Sequence, residues 1–218
     1  MPESKSKISR RELLGASATI GIGVTAAACS EASASTHPVT PPHTEGPFYP
    51  IVDQADKDAD LTKVEGRDGE ALGEVIEVEG QVLDADGNPI PGAVVDIWQA
   101  NAAGRYDHER DPNPAAIDPN FQGWAIMTTD ENGRYKFKSV RPGAYPVSDQ
   151  WTRPPHIHFK VSRRGYREIT TQMYFEGEPL NDVDHLLNEL SDDMRPTLVA
   201  TREDNESAFQ FDIVLAAV

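Results

Sequence analysis

Two histidines placed two positions apart, His156 and His158, are the plainest chemical signal in this 218-residue sequence. On a β-strand successive side chains alternate faces, so both imidazoles would point one way while Ile157 and Phe159 point the other. Two neutral imidazoles converging on one face are a ready pair of metal ligands. The bland alternative is a surface strand whose polar face happens to carry histidine, since six histidines in the chain make such a pair unremarkable by chance. The single cysteine, Cys29, excludes a thiolate metal site and a disulfide framework. No H-E-x-x-H zinc arrangement is present. A hard ferric ion would suit anionic oxygen donors, and a tyrosine phenol, of pKa about 10, ionises more readily beside a trivalent cation. Tyr106, Tyr135, Tyr145, Tyr166 and Tyr174 are all candidates, and their spacing does not choose among them.

The elements that must carry these groups are short and mostly extended. Glu77–Leu83 alternates apolar with polar residues, the period of a half-buried strand. Asp84–Gly92 is turn chemistry, and Ala93–Trp98 returns as a strand. Thr128–Phe137 reads as a hairpin, with Asn132 and Gly133 supplying the positive φ angles of a tight turn. Further strands are expected at His156–Ser162, Glu168–Phe175 and Ala208–Leu215, and at most a short helix at Asn181–Leu190. Residues 53–73, rich in Asp, Glu, Lys and Gly, read as a surface loop. Strands at this spacing without long helices between them predict an all-β fold, a β-sandwich of mainly antiparallel short strands with long loops and little helix.

The first 29 residues read as an export signal. Lys5, Lys7, Arg10 and Arg11 precede an uncharged apolar run from Leu13 to Ala28, the pattern of a basic n-region and a short h-region. That run is shorter than the roughly 20 residues a spanning helix needs. The Arg10–Arg11 pair resembles a twin-arginine signal. Cys29 follows Ala26, Ala27 and Ala28, which resembles a lipoprotein signal, although a leucine usually stands where Ala26 does. Lipidation of Cys29, anchoring the chain to a membrane, and simple cleavage with release are the two expectations, and either places the protein in the periplasm or cell envelope. Residues 30–44 read as a flexible tether, leaving 45–218 as the domain that does the chemistry. The charge is -16, from 20 basic and 36 acidic side chains. Nucleic acid is excluded as a partner, because phosphate binding needs basic stripes and none is present.

Several blocks together resemble the intradiol ring-cleavage dioxygenases. They are Gly92–His108, with its W-Q-A-N and G-R-Y-D-H motifs, Arg141–Pro146, the R-P-P-H-I-H motif at Arg153–His158, and Thr171–Pro179. Thr44–Tyr49 and Phe211–Leu215 fit as well, so the resemblance covers about residues 44–215 in order, and in detail it is nearest to the protocatechuate-type branch. The resemblance implies a β-sandwich enzyme holding one non-haem Fe(III) per chain through Tyr106, Tyr145, His156 and His158. It also implies that Arg153 lies over the substrate ring and that Gln172 lines the pocket for substrate and oxygen. Its substrates would be a catechol-type small molecule and O2, and its products muconate-type diacids. Tyr135 and Tyr174 read as strand packing residues; His37, His43, His108 and His185 match no role and read as surface groups. Trp98, Trp124 and Trp151 are candidates for the cavity wall, with core packing the safer reading for Trp98.

No amphipathic helical region precedes Glu74, unlike the catechol and hydroxyquinol branches, which carry one for dimerisation. The protocatechuate-type enzyme pairs two different chains, whereas this sequence supplies one, so a homo-oligomer or a single working chain is expected. The acidic balance, -18 once the 4 basic and 2 acidic groups of residues 1–29 are removed, disfavours an anionic substrate, unless Arg153, Arg134 or Arg141 compensates locally. Catechol or a neutral substituted catechol is the expectation. The competing reading from another class is a cell-envelope binding module without catalysis, indifferent to the loss of His156.

Overall fold

The computed structural model describes residues 37–54, 56–202 and 207–218. The expected export signal with Cys29, and residues 30–36 of the expected tether, lie outside the described residues. Among the described residues there are eleven strands, three short 3-10 turns and no α-helix. In β1 (Val75–Asp84) the sequence alternation becomes burial: Ile76, Val78 and Val82 face inward, and Glu77, Glu79 and Gln81 face outward. It is followed by β2 (Val94–Trp98), β3 (Trp124–Thr128), β4 (Arg134–Val140), β5 (Tyr145–Ser148) and β6 (Trp151–Arg153). The chain then forms β7 (His156–Ser162), β8 (Ile169–Phe175), β9 (Val199–Arg202), β10 (Ala208–Gln210) and β11 (Ile213–Leu215).

A nine-stranded sheet runs in the order β11-β1-β10-β9-β8-β7-β2-β3, with β4 added on β1; β5 and β6 form a separate ribbon. The sheet doubles over, so that strands distant along it pack face to face. Phe137 of β4 and Phe159 of β7 are not paired neighbours, yet their rings lie 6.1 Å apart. Ile76 and Val78 join Ile97, Ile157 and Met173 in one core between the two layers. Each such fully buried side chain contributes about 1.5–3 kcal/mol through removal from water. This is the expected all-β sandwich, and the core occupies the face of β7 opposite its histidines.

Some local expectations are corrected. The turn at Gly133 forms, with φ at 71°, but Asn132 does not share a positive φ, since glycines alone have one among the described residues. The arms of that turn also part: β3 pairs with β2, and β4 pairs with β1. The segment is a crossover between layers, because pairing with β1 buries Tyr135 and Phe137, which an isolated ribbon would leave half in water. Asn181–Leu190, where at most a short helix was expected, carries short 3-10 helices at Pro179–Val183 and Leu187–Glu189. Its apolar residues serve different sides, Leu187 being buried and Val183 exposed.

The second half of the expected tether is seated on the domain. Thr40 is buried; its N–H donates to Val214 C=O at 3.1 Å, and its Oγ1 accepts from Val214 N–H at 2.8 Å. Thr171 Oγ1 donates to Pro41 C=O at 3.0 Å. These are backbone-directed bonds that polar residues make without an apolar face, which is why composition did not reveal them. The acidic loop at 53–73 is likewise pinned through the wholly buried Leu61, whose N–H donates to Lys138 C=O at 2.8 Å.

Candidate metal centre and substrate cavity

Strand β7 presents His156 and His158 on the face away from the core, as alternation requires, with ring centroids 5.0 Å apart and both rings buried. Register places their neighbours. Trp98 of β2 and Gln172 of β8 lie opposite His158, and Tyr174 of β8 lies opposite His156. Trp98 is buried and also touches the site, its ring stacked on His158 at 4.7 Å and 7°.

Tyr106 comes from the long loop after β2, and a polar residue shapes that loop. Asn101 Oδ1 accepts from Ala103 N–H at 2.9 Å and Arg105 N–H at 3.1 Å. Its C=O accepts from Gly143 N–H at 2.9 Å, joining the loop to the segment that leads into Tyr145. At that junction Gly104 has φ 76°, and a Cβ there would lie 2.5 Å from Ala144 C=O; glycine is what lets the two segments touch. Asp111 fixes the end of the turn by accepting from Tyr106 N–H at 2.7 Å. The Tyr106 and Tyr145 rings then meet edge to face at 5.8 Å, and Tyr145 lies 5.6 Å from the His156 ring. Two phenols and two imidazoles, spread over 53 positions of sequence, therefore share one pocket.

Arg153 enters from β6, where it pairs with Tyr145 of β5. It is almost wholly buried and bound on every side. Nη2 donates to Gln172 Oε1 at 2.8 Å, to Tyr174 Oη at 2.7 Å and to Asp184 Oδ2 at 3.1 Å. Nη1 lies 3.3 Å from His156 Nε2. Gln172 thus sits behind Arg153 and holds it, with its own Nε2 donating to Thr44 C=O at 2.7 Å. Tyr174 packs in β8 as expected, but its hydroxyl belongs to this network. Asp184, fully buried, is a site residue that sequence reasoning missed. It also accepts from Trp151 Nε1 at 3.1 Å.

Burial pushes the His156 and His158 pKa values well below 6.5, helped by the Arg153 charge, so both rings are neutral and keep a lone pair. The Tyr106 and Tyr145 phenols are raised by burial, and Arg153 opposes the rise at Tyr145. The donor set fits a ferric ion. His156 Nδ1 donates to Pro154 C=O at 2.7 Å, which fixes the tautomer and leaves the Nε2 lone pair facing Tyr106 Oη at 3.4 Å. Among the described residues no group of three or more His, Cys, Asp or Glu gathers to hold a metal, so a site here must draw on the phenols. Beside these residues opens a cavity of about 400 Å³, reached by Tyr145, Arg153, Phe48, Val147, Trp151 and Leu186.

Of the remaining residues read from sequence, Tyr135 is core, with its hydroxyl on Phe211 C=O. Two of the expected surface histidines are not surface groups. His43 is half-buried and within 3.1 Å of Leu186 C=O through Nε2, because the segment before β1 is seated. His108 is buried beside Phe48. His37 and His185 are exposed, the latter stacked on Trp151 at 4.8 Å. Trp124 supports the interior, donating to Asp96 at 2.8 Å, whereas Trp151 reaches the cavity.

Comparison with known proteins gives the class. The Dioxygenase_C family model, described as Dioxygenase, matches residues 44–217, and the chain belongs to the intradiol ring-cleavage dioxygenases. It is 42% identical over 179 residues to the protocatechuate 3,4-dioxygenase β chain of Burkholderia cepacia, covering 78% of this chain and 76% of that one. It is 34% identical over 167 residues to catechol 1,2-dioxygenase 2 of Acinetobacter lwoffii, covering 69% of this chain and 56% of that relative's length. Among solved structures it resembles the dioxygenase domain of a dioxygenase carbohydrate-binding protein fusion from Streptomyces sp. SirexAA-E. There the TM-score is 0.62 at 27% identity, over 83% of this chain and 100% of that one.

Proposed function

We propose that this dioxygenase uses O2 and one non-haem ferric ion, held by Tyr106, Tyr145, His156 and His158, to cleave catechol-type rings between the two hydroxylated carbons. The product would be a muconate-type diacid. The observation that carries this reading is the convergence of those four side chains, with ring centroids about 5–6 Å apart. A ferric ion bound there supplies Lewis-acid activation of the catechol and a template for its two oxygens. Tyr145, on the cavity wall, would be placed to take a proton from a catechol hydroxyl once ionised beside a bound ferric ion. Arg153, held charged by Tyr174, Asp184 and Tyr145 against the cost of burial, stabilises negative charge that develops on the ring. Gln172 and Tyr174 keep that guanidinium in place. Phe48, Trp151 and Leu186 limit water at the reacting carbons.

Iron content, O2 uptake on a small catechol panel and the visible spectrum test the reading together. The expected result is one iron per chain, a broad tyrosinate-to-iron absorption and O2 consumption with catechol. Tyr106→Phe is expected to lose iron and the absorption together; full iron and activity in that variant would remove Tyr106 from the ligand set. Export through the Arg10–Arg11 signal, with lipid attachment at Cys29, belongs to the same proposal and is supported by the uncharged run Leu13–Ala28. The mass of the mature chain from the envelope fraction decides between acylated and simply cleaved forms.

A further inference from the structure

We infer that the cavity beside Tyr145 and Arg153 seats an uncharged, apolar substituent on the catechol ring, so that the chain selects such catechols against carboxylated ones. This rests on the ring-cleavage reading above and specifies its substrate class. The space exceeds what a bare ring needs: an apolar cavity of about 150 Å³ takes benzene, and this one is about 400 Å³. The surplus is bounded by Phe48, Val147, Trp151 and Leu186, with prolines at 47, 112, 114 and 146.

The charges at the cavity would repel a substrate carboxylate. Its cation, Arg153, is already matched by the buried Asp184 at 3.1 Å, which also accepts from Nε at 3.4 Å, while Nη2 is shared with Gln172 and Tyr174. The other charged group on the wall is Asp111. That carboxylate is held in place by Tyr106 N–H at 2.7 Å and Asn113 N–H at 2.8 Å. The two arginines that sequence offered as compensation are elsewhere. Arg141 is paired with Glu178 at 3.1 Å, and Arg134 lies on β4 beside Glu79 and Gln81. Among the described residues lining the cavity, a carboxylated ring would therefore meet Asp111 and no cation other than the Asp184-paired Arg153.

Single-hydroxyl phenols isolate this subsite, because they cannot be cleaved between two hydroxylated carbons. Calorimetric titration of the iron-loaded protein with phenol, 4-ethylphenol and 4-hydroxybenzoate is expected to rank 4-ethylphenol about tenfold tighter than phenol, and 4-hydroxybenzoate weakest. Val147→Arg, at a half-exposed position on the wall, is expected to raise 4-hydroxybenzoate above 4-ethylphenol. Binding of 4-hydroxybenzoate by the unaltered chain as tightly as 4-ethylphenol overturns the inference. Turnover of catechol, 4-ethylcatechol and protocatechuate separates the two readings. If none is consumed by iron-loaded protein, ring cleavage fails whatever the phenol order; if protocatechuate is preferred, ring cleavage stands and the apolar subsite falls.

Discussion

Asp184 accepts hydrogen bonds from Arg153, from Trp151 and from the backbone of Leu187 while wholly buried. The guanidinium beside it is only 4% exposed, so neither charge has water to fall back on. Breaking a buried pair from one side costs about 3–5 kcal/mol, because the other charge is left uncompensated. Asp184→Asn is expected to lower stability by about that amount in urea unfolding. It should also reduce turnover of the iron-loaded enzyme while the tyrosinate absorption persists, since Tyr106 is untouched. An unchanged midpoint would mean that Arg153 is held by Gln172 and Tyr174 alone. His156 and His158 were legible in the sequence because alternation in a strand is a local rule. Asp184 was not, because its partner is 31 positions away and nothing in the run around it marks a buried acid.

Loops, more than strands, decide where the phenols stand. The stretch 101–106 and the stretch 141–145 touch at Gly104, whose φ is positive and whose missing Cβ leaves room for Ala144 C=O. Alanine at such a position costs more than the roughly 1 kcal/mol of ordinary backbone strain, since the added atom also collides. Gly104→Ala is therefore expected to destabilise the fold by about 2 kcal/mol. It should weaken iron binding more than stability, because it pushes Tyr106 away from Tyr145; iron titration beside chemical denaturation measures both. Turn residues around Asp130–Gly133 were readable, but the partners of the strands they join were not. A turn reports only that the chain reverses locally, and pairing is then settled by which face buries Tyr135 and Phe137.

At the scale of the whole molecule, two charge effects compete as pH falls. Burial holds His156 and His158 well below their ordinary 6.5, and His43 is lowered for the same reason. These rings are neutral in the fold and would gain protons on unfolding, so stability present above pH 6.5 is lost as pH falls below it. The net charge of -16 works the other way, since protonating carboxylates relieves repulsion. Carboxylates titrate near pH 4, however, so this relief arrives later. The unfolding midpoint of metal-free protein is expected to fall between about pH 7.5 and about pH 5.5, and a flat profile in thermal melts would mean that the imidazoles reach water. Composition and strand period by themselves determined the all-β class and the shared face of His156 and His158, because both follow from nearest-neighbour geometry along the chain. The motif blocks determined the family. The seating of residues 37–44, the recruitment of Tyr174 and Asp184 to Arg153 and the apolar cavity were decided only by tertiary structure. Each depends on segments brought together across the sandwich, where burial and hydrogen bonding are set by neighbours remote in sequence.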